Sequence, residues 1–116
     1  MIPILIFPFN GNGLEALSCL GNEFEFIGFV DDTFEKQGEH PNGFMVYGRD
    51  AFIKFPNAKV LAVPGSPTSY GVRDQIIAGL NLDENRFTSV IHPTASISKF
   101  AQLGKNVLIM AGVVCT

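Results

Sequence analysis

Residues 91–116 read IHPTASISKFAQLGKNVLIMAGVVCT and repeat with a period of six residues. One ladder of apolar side chains falls at Ile91, Ile97, Leu103, Ile109 and Cys115, and a second at Ala95, Ala101, Val107 and Val113. Helices repeat their apolar positions about every 3.6 residues and strands about every 2, so neither element explains ladders at six. A parallel β-helix does, because each repeat supplies one short strand and one turn and stacks equivalent side chains.

This repetitive segment is short for a β-helix. With three faces per coil, its 26 residues make about one and a half coils, and at least about three repeats must stack before such a structure is stable. We therefore expect the chain to be the front part of a longer protein whose β-helix continues after Thr116.

The composition indicates a packed protein with no affinity for polyanions. Of its 116 residues, 47% are hydrophobic and 16% charged, which favours a core over disorder. The net charge is -3 and Lys and Arg form no run, so we expect neither nucleic acid nor a membrane surface as a partner. Met1 to Phe9 is apolar but too short for a membrane span, and it predicts a first buried strand.

The two cysteines have no metal-site spacing. Cys19 and Cys115 are predicted to be small buried residues in a reducing compartment, and no metal site is predicted. These features favour a cytoplasmic protein.

The rest of the chain alternates between strands and helices. Strands are predicted at 2–7, 24–30, 44–47, 59–63 and 87–91, helices at 14–20, 49–55 and 67–80, and a polar loop at 33–43. This order predicts an α/β fold with a small Rossmann-like, mostly parallel sheet. We place this domain at 1–91 and the start of the β-helix at 92–116.

Residues suited to a nucleotide follow three of the strands. Asn10-Gly11-Asn12-Gly13 follows the first strand, and with Ala16 its glycines match G-x-G-x-x-A, which places a helix N-terminus against a phosphate. Asp31 and Asp32 follow the second strand, where a carboxylate can accept ribose hydroxyls. Gly65 and Ser66 follow a later strand and open another helix.

Each of these motifs also has a plainer interpretation. An Asn-Gly-Asn-Gly segment is commonly a tight turn, paired aspartates commonly lie in a solvated loop, and Gly-Ser-Pro commonly caps a helix. Their joint placement at strand ends favours a nucleotide site. The pattern does not choose between a dinucleotide and a nucleotide-sugar.

The glycine turn, the Val30-Asp31-Asp32 segment and the junction Ile91-His92-Pro93-Thr94-Ala95 together resemble one family. They are similar to bacterial sugar acetyltransferases of the NeuD/PglD type, which include sialic acid O-acetyltransferases and bacillosamine N-acetyltransferases. The resemblance covers essentially the whole chain. It implies an N-terminal domain that binds a UDP-sugar or related nucleotide-sugar, and a left-handed β-helix that forms homotrimers and binds acetyl-CoA between neighbouring subunits.

The resemblance also assigns site residues. It places substrate contacts on the turn Asn10, Gly11 and Asn12, on Asp31 and Asp32, and on Gly65. The position of Gly13 and Ser66 at the same strand ends adds these two residues to the predicted site. Two departures are a Pro8-Phe9 pair before the turn, and Asn12 where the family commonly has histidine. The family's catalytic histidine lies on a later coil, so no catalytic residue is assigned here. His92, at the junction, is expected to have a structural role.

Three functions remain open on the sequence. The first is the substrate-binding portion of an acetyl-CoA-dependent sugar N- or O-acetyltransferase, a transferase whose present chain is inactive alone and is a monomer or weak dimer. The second is an NAD-binding oxidoreductase or sensor domain that uses Gly11, Gly13, Ala16 and Asp31. The third is a non-catalytic binding or assembly module.

Overall fold

A computed structural model describes residues 1–64, 72–97, 106, 108–109 and 114–115, and the side chains of all of these except 96, 97, 109, 114 and 115. Five strands form one sheet in the order β3-β4-β2-β1-β5. Four are mutually parallel, and β3 pairs antiparallel with β4 at one edge. The strands are β1 (Ile2–Phe7), β2 (Phe24–Val30), β3 (Gly38–Glu39), β4 (Met45–Tyr47) and β5 (Lys59–Ala62).

The strand order reverses direction between β1 and β5. The chain moves outward from β1 through β2 to β4 and then returns to the other side of β1, where β5 pairs with it. This reversal is the topological switch point at which open α/β sheets bind ligands. The carboxyl ends of β1, β2 and β5 therefore define the edge that carries the candidate site.

Helices cover both faces of the sheet. The described helices are α1 (Gly11–Cys19), α2 (Ala51–Lys54) and α3 (Arg73–Ala78), and two 3₁₀ turns lie at Phe34–Lys36 and Glu84–Arg86. Arg86 closes the C-terminal end of α2, because its guanidinium donates to the carbonyls of Phe52, Phe55 and Ala58. A cation at this end also favours the helix dipole.

Two apolar clusters separate the faces of the sheet. On the α1 face, Ile4, Ile6 and Phe29 are buried with Ala16 and Cys19 of the helix. On the other face, Leu5, Phe7 and Val30 are buried with Ala51 and Phe52 of α2. The alternation follows from the period of two along each strand. Burial on both faces explains why β1 reads as a continuous apolar run.

The segment at 33–43 differs from the predicted loop. It contains the 3₁₀ turn Phe34–Lys36 and the edge strand β3, with Gly38 at a φ of +117°. Both residues of β3 are exposed, so this strand buries no side chain and has no apolar alternation that a sequence could show.

Four short strands beyond the sheet have the register of a β-helix. β6 (Val90–Ile91) pairs parallel with β8 (Leu108–Ile109), and β7 (Ser96–Ile97) pairs parallel with β9 (Val114–Cys115). Ile91 lies opposite Ile109, and Ile97 lies opposite Cys115, so each partner is three six-residue repeats further along. The predicted parallel sheet followed by the first β-helix coil is confirmed. The predicted inward stack of Ile97, Leu103 and Ile109 lies outside the side chains described.

The first coil packs against the α/β domain. Val90 is fully buried in the α1-face cluster, with Leu108 packed beside it. The boundary predicted near residue 92 stays a prediction. Among the helices of the described residues, none has both the length and the apolar character needed to cross a lipid bilayer.

Candidate nucleotide site

Asn10 organises the turn between β1 and α1. As the N-cap, its Oδ1 accepts from the Gly13 amide at 2.7 Å, and its carbonyl accepts from the Leu14 amide at 3.0 Å. Its Nδ2 donates to the Val63 carbonyl, just past β5, at 3.3 Å. The Asn10 side chain therefore holds the helix N-terminus and joins it to β5 across the switch point.

The two glycines of this turn have different steric roles. A Cβ on Gly13 would lie 2.6 Å from the Pro8 carbonyl oxygen and 3.2 Å from the Phe29 ring, so glycine is needed there for close packing. A Cβ on Gly11 would meet no atom of the described residues within 4 Å. The fold alone does not require glycine at 11, and the open space lies at the first residue of the helix.

The first turn of α1 presents hydrogen-bond donors to this space. The Asn10 side chain and carbonyl satisfy the amides of Gly13 and Leu14, whereas the amides of Gly11 and Asn12 have no partner among the described residues. Free amides at a helix N-terminus carry partial positive charge and suit a phosphate. The geometry therefore fits the anion-binding role predicted for the glycine turn.

Asp31 faces the same turn and is 4% exposed. Its Oδ2 accepts from the Phe9 amide at 3.0 Å, and its Oδ1 accepts from the Thr33 amide at 2.8 Å. Lys36 lies beside it, with Nζ 3.7 Å from Oδ2, and donates to the Phe9 carbonyl at 3.1 Å. Asp31 and Lys36 thus fix both peptide groups of Phe9 immediately before the glycine turn.

Asp32 lies on the opposite face of the sheet. Its two carboxylate oxygens accept from Arg49 Nε at 2.8 Å and from Nη2 at 2.9 Å. Arg49 also donates to the Gly79 carbonyl at 2.9 Å. The hydrogen bond with Asp32 raises the pKa of Arg49, which keeps the guanidinium group charged. Asp32 is therefore engaged away from the glycine turn.

The structure thus brings Asn10, Gly11, Asn12, Gly13 and Asp31 to one place. Gly65 and Ser66, which the sequence also predicts for this site, lie outside the described residues. Lys36 and the backbone of Phe9 belong to this region but were not predicted. Lys36 lies 27 positions from Phe9 in a polar segment, and no local pattern could have indicated the contact.

Both histidines have local partners. His92 Nδ1 accepts from the Thr94 amide at 3.0 Å and lies 2.8 Å from the Thr94 hydroxyl, which fits the structural role expected at the junction. The His40 ring stacks on Phe44 at 4.5 Å and meets Phe9 edge-on at 5.3 Å. No bond to a carboxylate, such as would orient a general base, involves either ring within the described part of the chain.

Comparison with family models and with curated protein sequences gives no match. Solved structures do resemble the chain. A histidine-to-asparagine variant of perosamine N-acetyltransferase from Caulobacter crescentus, in complex with CoA and GDP-perosamine, superposes with a TM-score of 0.73 at 18% identity. The comparison covers 98% of this chain and 53% of that one.

The acetyltransferase domain of PglB from Neisseria gonorrhoeae is also similar. It superposes with a TM-score of 0.70 at 25% identity, over 98% of this chain and 56% of that one. The same domain in complex with acetyl coenzyme A gives 0.69 at 24% identity. The chain spans about half the length of these acetyltransferases and shares their fold over that length, which confirms the predicted resemblance at the level of the fold.

Proposed function

We propose that this chain is the nucleotide-sugar-binding portion of an acetyl-CoA-dependent sugar N- or O-acetyltransferase. One observation carries the proposal: a Rossmann-like sheet edge and a coil with an 18-residue register occur in one chain. That combination superposes over 98% of its length on the acetyltransferase domain of PglB. An isolated dinucleotide-binding domain would not need the coil.

In this proposal the diphosphate of the nucleotide-sugar lies at the N-terminus of α1. The amides of Gly11 and Asn12, which have no partner among the described residues, donate to phosphate oxygens, since the missing side chain of Gly11 leaves room for them. The ammonium group of Lys36, whose side chain is 45% exposed, adds positive charge nearby. Asp31 positions the turn, and Asp32 contributes only through its ion pair with Arg49.

The proposed reaction is acyl transfer. An amine or hydroxyl of the sugar attacks the thioester carbonyl of acetyl-CoA, a new C–N or C–O bond forms, the C–S bond breaks, and a general base accepts the proton. By the resemblance, acetyl-CoA lies between β-helices of a homotrimer and the base is a histidine on a later coil. We propose the same arrangement, and a cytoplasmic location, for a protein that carries more of the β-helix.

Calorimetry with UDP-N-acetylglucosamine, GDP-mannose and NAD tests the binding step. We expect one of the nucleotide-sugars to bind more tightly than NAD, and Gly11→Ala to weaken it at least about tenfold, a loss of about 1.4 kcal/mol. Ser18→Ala, an exposed change on the same helix, is the matched control and should bind like the parent chain. Tighter binding of NAD than of either sugar nucleotide would replace the proposal with a dinucleotide-binding function.

The chain itself should not catalyse the transfer. Neither His40 nor His92 is bonded to a carboxylate in the described part of the chain, and general acid–base catalysis typically supplies about 10²–10⁴-fold of rate. Thiol release from acetyl-CoA, measured with a panel of UDP- and GDP-amino sugars, is expected to stay at the rate without protein. Release that disappears in His92→Ala would show that the chain contains its own base.

A further inference from the structure

The outer edge of β5 is completed by two other parts of the chain. The amide of Val63, just past β5, donates to the Phe7 carbonyl at 2.7 Å. The backbone N–H and C=O groups of alternate residues of this strand therefore point toward β1. The backbone groups of Val60 and Ala62 point away from β1, toward the outer edge of the sheet. The carbonyl of Val60 accepts from the Thr88 amide at 3.0 Å, in a parallel bridge between Val60 and Phe87.

At Ala62 the neighbouring strand is replaced by one side chain. The Ala62 amide donates to Asn106 Oδ1 at 2.5 Å, and Asn106 Nδ2 donates back to the Ala62 carbonyl at 2.8 Å. A carboxamide offers one acceptor and two donors on one planar group, so it pairs with a peptide as another peptide would. Arg73 Nη2 also approaches this carbonyl, at 3.4 Å.

Asn106 is placed for this contact by its own backbone. Its φ is +63°, a left-handed conformation that asparagine adopts more readily than most residues. Asn106 lies two residues before β8, and β8 pairs with β6, the equivalent strand one coil earlier. The end of the first coil therefore reaches back 44 positions to the sheet.

The contact lies one residue from the candidate site. Ala62 is followed by Val63, whose carbonyl accepts from the Asn10 side chain at 3.3 Å, and Asn10 caps α1 beside Gly11. We propose that Asn106 is a positioning residue that sets the register of the first coil against the carboxyl end of β5. In this way it fixes the coil relative to the glycine turn.

The consequence for acetyl transfer rests on the proposed function, because a fixed coil would hold a sugar at a set distance from groups on the β-helix. The contact itself does not rest on it and can be tested without a nucleotide.

Residue-resolved amide hydrogen exchange of the 116-residue chain, measured by NMR, compares Ala62 with Val63. Both amides should be protected in the parent chain, since one donates to Asn106 and the other to Phe7.

The test variant is Asn106→Gly, which keeps the left-handed backbone accessible and removes the amide. We expect exchange at Ala62 to accelerate at least about tenfold, the effect of losing one buried hydrogen bond, while Val63 stays protected. The amides of β6 and β8 should accelerate with Ala62. Asn81→Gly is the matched control, since Asn81 has a φ of +55° at an exposed position after α3, and it should leave Ala62 unchanged.

Three results would overturn the assignment. Fast exchange of Ala62 in the parent chain would show that the hydrogen bond does not persist in solution, whatever the variant does. Unchanged exchange of Ala62 in Asn106→Gly would show that another group holds this amide. Equal acceleration at Ala62, Val63 and the central strand β1 would show a contribution to global stability with no particular role at this junction. A failure of nucleotide binding alone would leave the assignment standing and count only against the proposed function.

Discussion

The two aspartates at the end of β2 are adjacent in sequence but serve different faces of the sheet. Asp31 is 4% exposed and accepts hydrogen bonds from two backbone amides, those of Phe9 and Thr33. The side chain of Asp32 is 53% exposed and pairs with Arg49. Asp31 contacts the turn before α1, whereas Arg49, the partner of Asp32, lies over the Phe7 ring of the α2-face cluster. Identical side chains can thus shape the α1-side turn or connect surface segments on the α2 side.

The largest effect is expected for Asp31→Ala. This change leaves the amides of Phe9 and Thr33 without their acceptors, and hydrogen bonds to a charged group contribute roughly 1.5–3 kcal/mol each. We expect urea denaturation to show a loss of about 3 kcal/mol in the free energy of unfolding. Asp31→Asn, which retains one carbonyl acceptor, should lose about half as much. A loss below ~1 kcal/mol for Asp31→Ala would show that Asp31 contributes no more to stability than the exposed ion pair of Asp32.

The next effect concerns the glycine turn on the Asp31 side. Gly13→Ala would place a methyl group 2.6 Å from the Pro8 carbonyl, and overpacking of this kind costs about 1–3 kcal/mol. We expect a loss of about 2 kcal/mol, measured as a lower midpoint of thermal unfolding. Gly11→Ala is the control, and its unfolding midpoint should be unchanged or higher, since alanine favours the helix by roughly 0.8–1 kcal/mol. Equal losses at both positions would mean that Gly11 has a packing role as well.

The features that the sequence predicted are those with local or periodic causes. The apolar run of β1 follows from burial on both faces of the sheet, and the register between Ile91 and Ile109 agrees with the period of six residues. The glycine turn is also a local feature, although the helix predicted to begin at residue 14 begins at Gly11 in the structure, with Asn10 as its N-cap. Such signals lie within one element and need no knowledge of its neighbours.

The contacts that the sequence missed join distant segments. The Asp32–Arg49 pair spans 17 positions, and the Ala62–Asn106 contact spans 44. Each depends on which face a side chain takes once the sheet has formed, and a single sequence does not record that. The shared role of Asp31 and Asp32 at one site stays a prediction, because the predicted strand end did not assign each carboxylate to a face.

A smaller effect is expected on the Asp32 side. Asp32→Ala removes a partly exposed ion pair, and such pairs contribute roughly 0–1 kcal/mol. We expect a loss of about 0.5 kcal/mol in the free energy of unfolding that shrinks further at high salt. A double-mutant cycle with Arg49→Met separates the pair from the bond between Arg49 and Gly79. A coupling energy above ~2 kcal/mol would show that the Asp32–Arg49 pair stabilises the protein about as much as the hydrogen bonds of Asp31 do.

The smallest expected change in stability is that of Lys36→Met, although Lys36 contacts both Asp31 and Phe9. Its side chain is 45% exposed, and Nζ lies 3.7 Å from the carboxylate, so the pair is screened and should contribute about 0.2 kcal/mol. Asp31 retains its two amide donors without Lys36, and the turn should therefore keep its shape.

Binding of a nucleotide-sugar should nevertheless weaken about fivefold, because a positive charge near the diphosphate is lost. Lys36→Arg keeps that charge and should bind like the parent chain. Urea denaturation and calorimetry on the same samples separate the two effects. A stability loss above ~2 kcal/mol would show that Lys36, rather than the backbone amides, holds Asp31 in place.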